Sequence, residues 1–265
     1  MIFNKGDETM KKTLVLITAC LALFSCKDQK EEEQEKKLIA LSNNYNILLW
    51  SEIIPNSIPI KKQKIIYSDN INNLKANITI EANSDGFVTK VYIDEDEINK
   101  EVDYTNANYK SNNDKKTIEN GRLKFDENNN IIEILNDQNE MITNAKFDDD
   151  GRMTNLDDNE SNFRLIQQFS YRDDNKLEFY SERSFNETEP QGTTSEHYFF
   201  YNDQNQLTQS KIKSHLLLTK TNFTFGEDVE TCFYSKYNQN GDWTESYCTN
   251  QNNKRISTTT RTLEY

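Results

Sequence analysis

An unusual alternation of apolar and polar positions recurs along the C-terminal two thirds of the chain. An aromatic residue is followed by four polar residues ending in Gly or Asn, then one more polar residue, then a large apolar one. It reads FDENNNI from Phe125, FDDDGRM from Phe147, YRDDNKL from Tyr171, YNDQNQL from Tyr201 and YNQNGDW from Tyr237, with successive starts 22, 24, 30 and 36 residues apart. NSDGFV (83–88) and ENGRL (119–123) are partial copies without the leading aromatic. A β-hairpin with a three-residue loop explains the spacing: a type I turn followed by Gly or Asn in the left-handed region, where those residues meet little steric resistance. Such a loop sets Phe125 against Ile131, Phe147 against Met153, Tyr171 against Leu177, Tyr201 against Leu207 and Tyr237 against Trp243. All five pairs then fall on one face of a sheet, and each cross-strand pair contributes roughly 0.2–1 kcal/mol.

The same pairing carried outward sets Phe169 against Phe179 and Phe233 against Tyr247. It also places Cys232 and Cys248, eight residues to either side of Asn240, directly opposite one another. A cross-strand disulfide is the expectation, stabilising by on the order of 3 kcal/mol in an oxidising compartment. The predicted fold class is all-β: an antiparallel meander of hairpins forming one long twisted sheet within a domain spanning residues 38–265.

Flanking segments are less regular. Residues 38–53 fit either a short helix or two strands, and Pro55 and Pro59 bracket a short extended stretch. NETEPQGTTSE (186–196) interrupts the repeat spacing and reads as a surface loop, a candidate binding element because insertions in repeat arrays often line the binding face. IKSHLLLTKTNFTF (212–225) reads as a strand pair or one long strand.

The repeated stretches resemble the YD repeats of the RHS family, in which a Tyr-Asp pair precedes a Gly and a hydrophobic residue, over residues 118–248. The resemblance implies successive hairpins building one spiralling sheet. In that family the sheet wraps a toxin, and five hairpins are too few to close such a shell. Arg172, Asn202 and Asn238 replace the family's Asp, and Asn129, Asn175 and Asn205 its Gly, which keeps the turn chemistry.

The N-terminal pattern is different. Lys11 and Lys12 precede TLVLITACLALF, a charge-free run too short to span a bilayer as a helix and suited to a signal-peptide core. Residues 1–25 are therefore read as a signal peptide, with Met10 the more natural start. Leu23, Phe24, Ser25 and Cys26 resemble the lipobox of bacterial lipoproteins, which implies that Cys26 becomes the lipidated N-terminus. Two or more acyl chains on one thiol hold a protein stably at a membrane, each buried methylene adding about 0.8 kcal/mol. Residues 26–37, KDQKEEEQEKK after the cysteine, have the composition of a disordered, extended or weakly helical tether. The expected address is the outer membrane, with the cell surface favoured over the periplasmic face.

A net charge of −13 makes nucleic acid an unsuitable partner. Metal and cofactor are expected to be none: no Gly-rich phosphate loop occurs, and the acidic clusters IDEDEI (93–98), FDDDGRM and NLDDNE (155–160) lack the alternation of a Ca²⁺ loop. His197 and His215 have no Ser or Cys at catalytic spacing, so no catalytic residue is assigned and the protein is not expected to be an enzyme. The functional expectation is a lipid-anchored binding module for a protein or glycan partner, marked by a contiguous aromatic patch outside the core. The alternative is a structural or immunity-like partner of a neighbouring protein, and an extracellular hydrolase ranks below both.

Overall fold

The computed structural model describes residues 30–49, 53–95, 98–104, 122–135, 140–160, 162–189, 191–219, 221 and 223–265. Cys26, the lipobox, the signal segment and Glu119–Gly121 of the ENGRL copy lie outside them. A helix, α1, occupies residues 30–49. Among the described residues, fifteen strands follow. The first four are β1 (Lys62–Asp69), β2 (Leu74–Ala82), β3 (Val88–Glu95) and β4 (Ile98–Asp103). Next come β5 (Arg122–Phe125), β6 (Ile131–Leu135), β7 (Met141–Phe147), β8 (Met153–Glu160), β9 (Phe163–Tyr171) and β10 (Leu177–Asn186). The last five are β11 (Gln191–Tyr201), β12 (Leu207–Leu218), β13 (Phe223–Tyr237), β14 (Trp243–Asn250) and β15 (Arg255–Glu264).

All fifteen belong to one antiparallel sheet in the order β4-β3-β2-β1-β15-β14-β13-β12-β11-β10-β9-β8-β7-β6-β5. The all-β meander expected from the repeats is thus the fold. The order also carries a feature the repeats do not encode: β1 pairs with β15, so the first strand joins the middle of the sheet and β4 and β5 form its two edges.

The turns explain the repeat. All five predicted pairs are in register: Phe125 with Ile131, Phe147 with Met153, Tyr171 with Leu177, Tyr201 with Leu207 and Tyr237 with Trp243. Asn129, Gly151, Asn175, Asn205 and Gly241 hold positive φ of 65°, 78°, 64°, 59° and 82°. The residue after the aromatic is usually Asp or Asn because its side-chain oxygen accepts two backbone N–H groups of the turn. Asp126 accepts from Asn128 and Asn130 at 2.9 and 2.8 Å, and Asn202 from Gln204 and Gln206 at 3.0 and 2.9 Å. NSDGFV, although it lacks the leading aromatic, has the same turn bonds, Asn83 accepting from Asp85 and Phe87. A further copy runs from Asn250 to Lys254, Asn253 having a φ of 58°; it has neither the aromatic nor the apolar residue. The tyrosines stitch hairpin to hairpin, since the hydroxyls of Tyr201 and Tyr237 donate to the carbonyls of Leu177 and Leu207, each at 2.7 Å.

Just beyond most turns the register shifts by one residue, a one-residue bulge. In the Tyr171 hairpin the bulge sets Phe169 opposite Tyr180, and Phe179 opposite Ser170, correcting the expected Phe169–Phe179 pair. In the Tyr237 hairpin, where Lys236 also leaves extended geometry with φ 52°, the register runs unshifted. Phe233 then faces Tyr247 and Cys232 faces Cys248, and the two cysteines form a disulfide with the sulfurs 2.10 Å apart.

Contacts divide the chain at Leu38/Ile39. Before that point α1 carries the pairs Glu32–Lys36 at 2.7 Å and Glu33–Lys37 at 2.9 Å, an i,i+4 order that supports a helix. Residues 30–37 of the expected disordered tether are therefore helical. For residues 38–53, left open between helix and strands, the described part to residue 49 is helix. From Ile39 onward α1 is the filling of the sheet. Tyr45 shares one apolar cluster with Phe87 and Tyr104, from the β4 side, and with Leu123, Phe125 and Ile131, from the β5 side. The sheet accordingly curls round α1 until elements from both edges meet on it. Ile47 packs into a second cluster with Met153, Leu177, Tyr180, Phe199 and Trp243.

Polar side chains of α1 bind the turns. Buried Asn44 donates to Asn130 Oδ1 at 3.0 Å and the Gly151 carbonyl at 2.7 Å, and accepts from Met153 N at 3.1 Å. The Tyr45 hydroxyl donates to the Asn129 carbonyl at 2.8 Å. After the helix, Ser57 N donates to Asp242 Oδ1 at 2.9 Å, and Arg261 donates to Asn56 Oδ1 at 3.0 Å and the Trp243 carbonyl at 2.6 Å.

Candidate interaction surfaces

The sheet has one face turned to α1 and one turned away, and strand alternation assigns each residue to a face. Phe199 and Tyr201 pack towards α1, so Tyr198 and Phe200 project from the other side. The pairing carries that assignment across neighbouring strands. One transverse row on the outer face runs Phe179, Tyr198, Lys211, Thr231 over β10–β13. The adjacent row runs Phe200, Gln209, Phe233, Tyr247 over β11–β14. Phe179 and Tyr198 have ring centroids 5.1 Å apart, as do the stacked rings of Phe233 and Tyr247, and Phe200 is 46% exposed. Cations flank the rings: Arg255 lies 4.2 Å from the Tyr247 centroid and Lys213 5.8 Å from that of Tyr198. This is an aromatic patch outside the core. HYFFY (197–201) already shows two of its members by alternation. Bringing Phe233 and Tyr247 beside Phe200 requires the register of β12, which no single turn reveals.

The segment expected as a loop at 186–196 is instead the tip of the β10–β11 hairpin, with strand pairing from Phe185 and Gly192 inward. Gly192 permits that approach, since a Cβ there would lie 2.5 Å from the Ser184 carbonyl oxygen. Residues 212–225 form a strand pair, with Leu216 opposite Phe225 and Leu218 opposite Phe223.

The candidate chemical groups resolve mainly into structural roles. His197 stacks on Tyr180 at 3.9 Å, and burial lowers its pKa to about 4. Ser195 Oγ lies 2.9 Å from His197 Nε2, a closeness the spacing did not suggest. His215 Nδ1 is 2.7 Å from the Gly226 carbonyl. Asp148 and Asp150 pair with Arg152, Asp157 with Arg164, and Asp158 accepts from Thr143. Glu230, Cys232 and Cys248 bring their ligand atoms within 4.8 Å of one another, but both sulfurs are committed to the disulfide. Burial first, then Asp228 and Asp69, raise the pKa of Glu230.

No protein-family model matches the chain, and no curated protein matches it in sequence. Among solved structures, a chain of the TcdB2-TccC3-TEV crystal structure is similar at 9% identity and a TM-score of 0.34, over 79% of this chain. The similarity spans 10% of that much longer chain. A putative exported protein with YmcC-like fold from Bacteroides fragilis is similar at 9% identity and a TM-score of 0.28, over 77% of this chain and 94% of its own. The hairpin registers stand independently of either likeness.

Proposed function

We propose that the protein is a lipid-anchored binding module of the cell envelope, held through Cys26 at the outer membrane with the cell surface as its favoured side. It captures a protein or glycan partner on the aromatic rows. The observation that carries this reading is the patch itself: five rings from Phe179, Tyr198, Phe200, Phe233 and Tyr247 gathered on the sheet face away from α1. Tyr and Phe beside Lys and Arg are the side chains from which binding hot spots are commonly built. The turn chemistry, an Asx residue followed by a left-handed Gly or Asn, supports grouping the hairpins with YD repeats of the RHS type. The reading assigns no catalytic residue, cofactor or metal.

Recovery of partners from intact cells with the lipidated protein, quantified by mass spectrometry, tests the surface. Phe200→Ala with Phe233→Ala should abolish specific recovery while keeping the far-UV circular dichroism of the folded parent, and undiminished recovery overturns the assignment. Cys26→Ala should move the protein out of the membrane fraction; an unchanged membrane-bound pool overturns the anchor.

A further inference from the structure

A second surface lies on the α1-facing side, at the far end of the β12–β13 hairpin. Alternation and pairing place Leu216, Leu218, Phe223 and Phe225 together on that side, in two successive transverse rows. Three of the four are exposed, Leu216 by 45%, Phe223 by 61% and Phe225 by 38%, while Leu218 is half-buried; Phe163 at the start of β9 is 49% exposed on the same side. Clustered apolar exposure of this kind marks a contact surface, whereas scattered apolar residues do not. Its margin is mainly acidic, although Arg164, beside Phe163 and paired with Asp157, also feels the charge of Glu187. Glu227 and Asp228 follow directly in β13, with Glu230 further along the strand. Glu187 and Glu189 stand in the adjoining β10–β11 tip, which Thr219 Oγ1 ties to this hairpin through the Glu189 carbonyl at 3.1 Å.

We propose that this hairpin tip docks a basic protein partner, one that presents apolar side chains ringed by Lys or Arg. Charge selects the occupant. A second copy of a chain with a net charge of −13 brings more acid to an acid margin, and an anionic lipid headgroup does the same. A cationic rim instead complements Glu187, Glu189, Glu227 and Asp228, and the long-range field of the whole protein steers it in. Glu230, further along β13, adds to the same acidic field; burial first, then Asp228 and Asp69, raise its pKa. The surface is separate from the aromatic rows and lies on the other face, so the two can be occupied or lost independently.

The full chain is titrated with an amphipathic Leu–Lys helical peptide, a Lys-only peptide and a Leu–Glu peptide. The Leu–Lys peptide should bind in a salt-dependent manner and the others weakly. Phe223→Ser with Phe225→Ser should weaken binding about tenfold or more, while Glu187→Gln with Glu189→Gln and Asp228→Asn should weaken it and flatten its salt dependence. These residues are exposed, so thermal melts of the variants should match the parent. Phe200→Ala with Phe233→Ala should leave peptide binding unchanged, which separates failure here from failure of the aromatic surface. Equal binding of the Lys-only peptide, or indifference to the Phe223 and Phe225 changes, overturns the proposal. So does a sedimenting dimer, or flotation with phosphatidylglycerol vesicles, that those changes abolish.

Discussion

Asn44→Ala should destabilise the protein more than any exposed Asn→Ala change, because that one amide connects α1 to two turns of the sheet. Asn44 is 2% exposed and uses three hydrogen-bonding sites at once, on Asn130, Gly151 and Met153. Removing it leaves two acceptors and one backbone donor buried without that partner. Each lost bond costs about 1 kcal/mol net, and a buried group left unpaired costs about 1–3 kcal/mol, so the sum is about 3–5 kcal/mol. That is a large part of a total stability of about 5–15 kcal/mol. In urea, with a slope of about 3 kcal/mol per molar, the unfolding midpoint followed by far-UV circular dichroism should fall by about 1 M or more. Asn128→Ala, in an exposed part of the β5–β6 turn, should stay within about 0.5 kcal/mol of the parent. A fall of less than about 0.3 M for Asn44→Ala, or an equal fall for Asn128→Ala, would refute the view that α1 is held by polar contacts to the turns.

Three further outcomes are expected. Gly86→Ala should be much more destabilising than Gly151→Ala in the same urea assay: both positions have positive φ, but a Cβ on Gly86 would meet Ser42 Oγ at 2.2 Å, whereas one on Gly151 meets nothing within 4 Å. Cys232→Ser with Cys248→Ser should lower stability by about 3 kcal/mol, read as a fall in melting temperature that a reductant reproduces in the parent and not in the variant. The His197 pKa is lowered from 6.5 to about 4, so the unfolded chain takes up this proton first as pH falls and the stability contribution is lost between those values. His197→Phe should remove that part of the slope in urea midpoints measured at pH 7, 6 and 5.

The hairpins are legible because their turns are local. Asp126, Asp148, Asn202 and Asn238 fix the loop through bonds to residues two and four further on, and the left-handed Gly or Asn fixes the register of the nearest pair. Two positions beyond the turn, the outcome depends on bulges, and residue type does not mark them. Lys236 leaves extended geometry and Ser170, at the same place in the Tyr171 hairpin, does not; there the register shifts between Leu177 and Phe179, so Cys232 and Cys248 meet while Phe169 and Phe179 miss. Nor does any turn specify the partnership of β1 with β15, which are joined by no short connection. The helix was hard to read for a related reason. LSNNYNILLW has too many Asn residues for an ordinary amphipathic stripe, and Asn44 is buried because the turn backbones supply its hydrogen-bonding partners. The aromatic surface was half legible, since alternation within β11 displays Tyr198 and Phe200 but only the assembled sheet brings Phe233 and Tyr247 beside them.

The pairing of β1 with β15 governs when the molecule can be finished. Hairpins from β5 to β14 need only nearby residues, and β1 to β4 likewise assemble from their own neighbours. Among the described strands, the two arms join in the sheet through the ten-residue strand Arg255–Glu264, which brings with it the Arg261 contacts to Trp243 and Asn56. Closing a loop that long is slow compared with forming a hairpin. Until Arg255–Glu264 is in place the chain is therefore two preassembled wings with an open seam, and that strand is the one that shuts it.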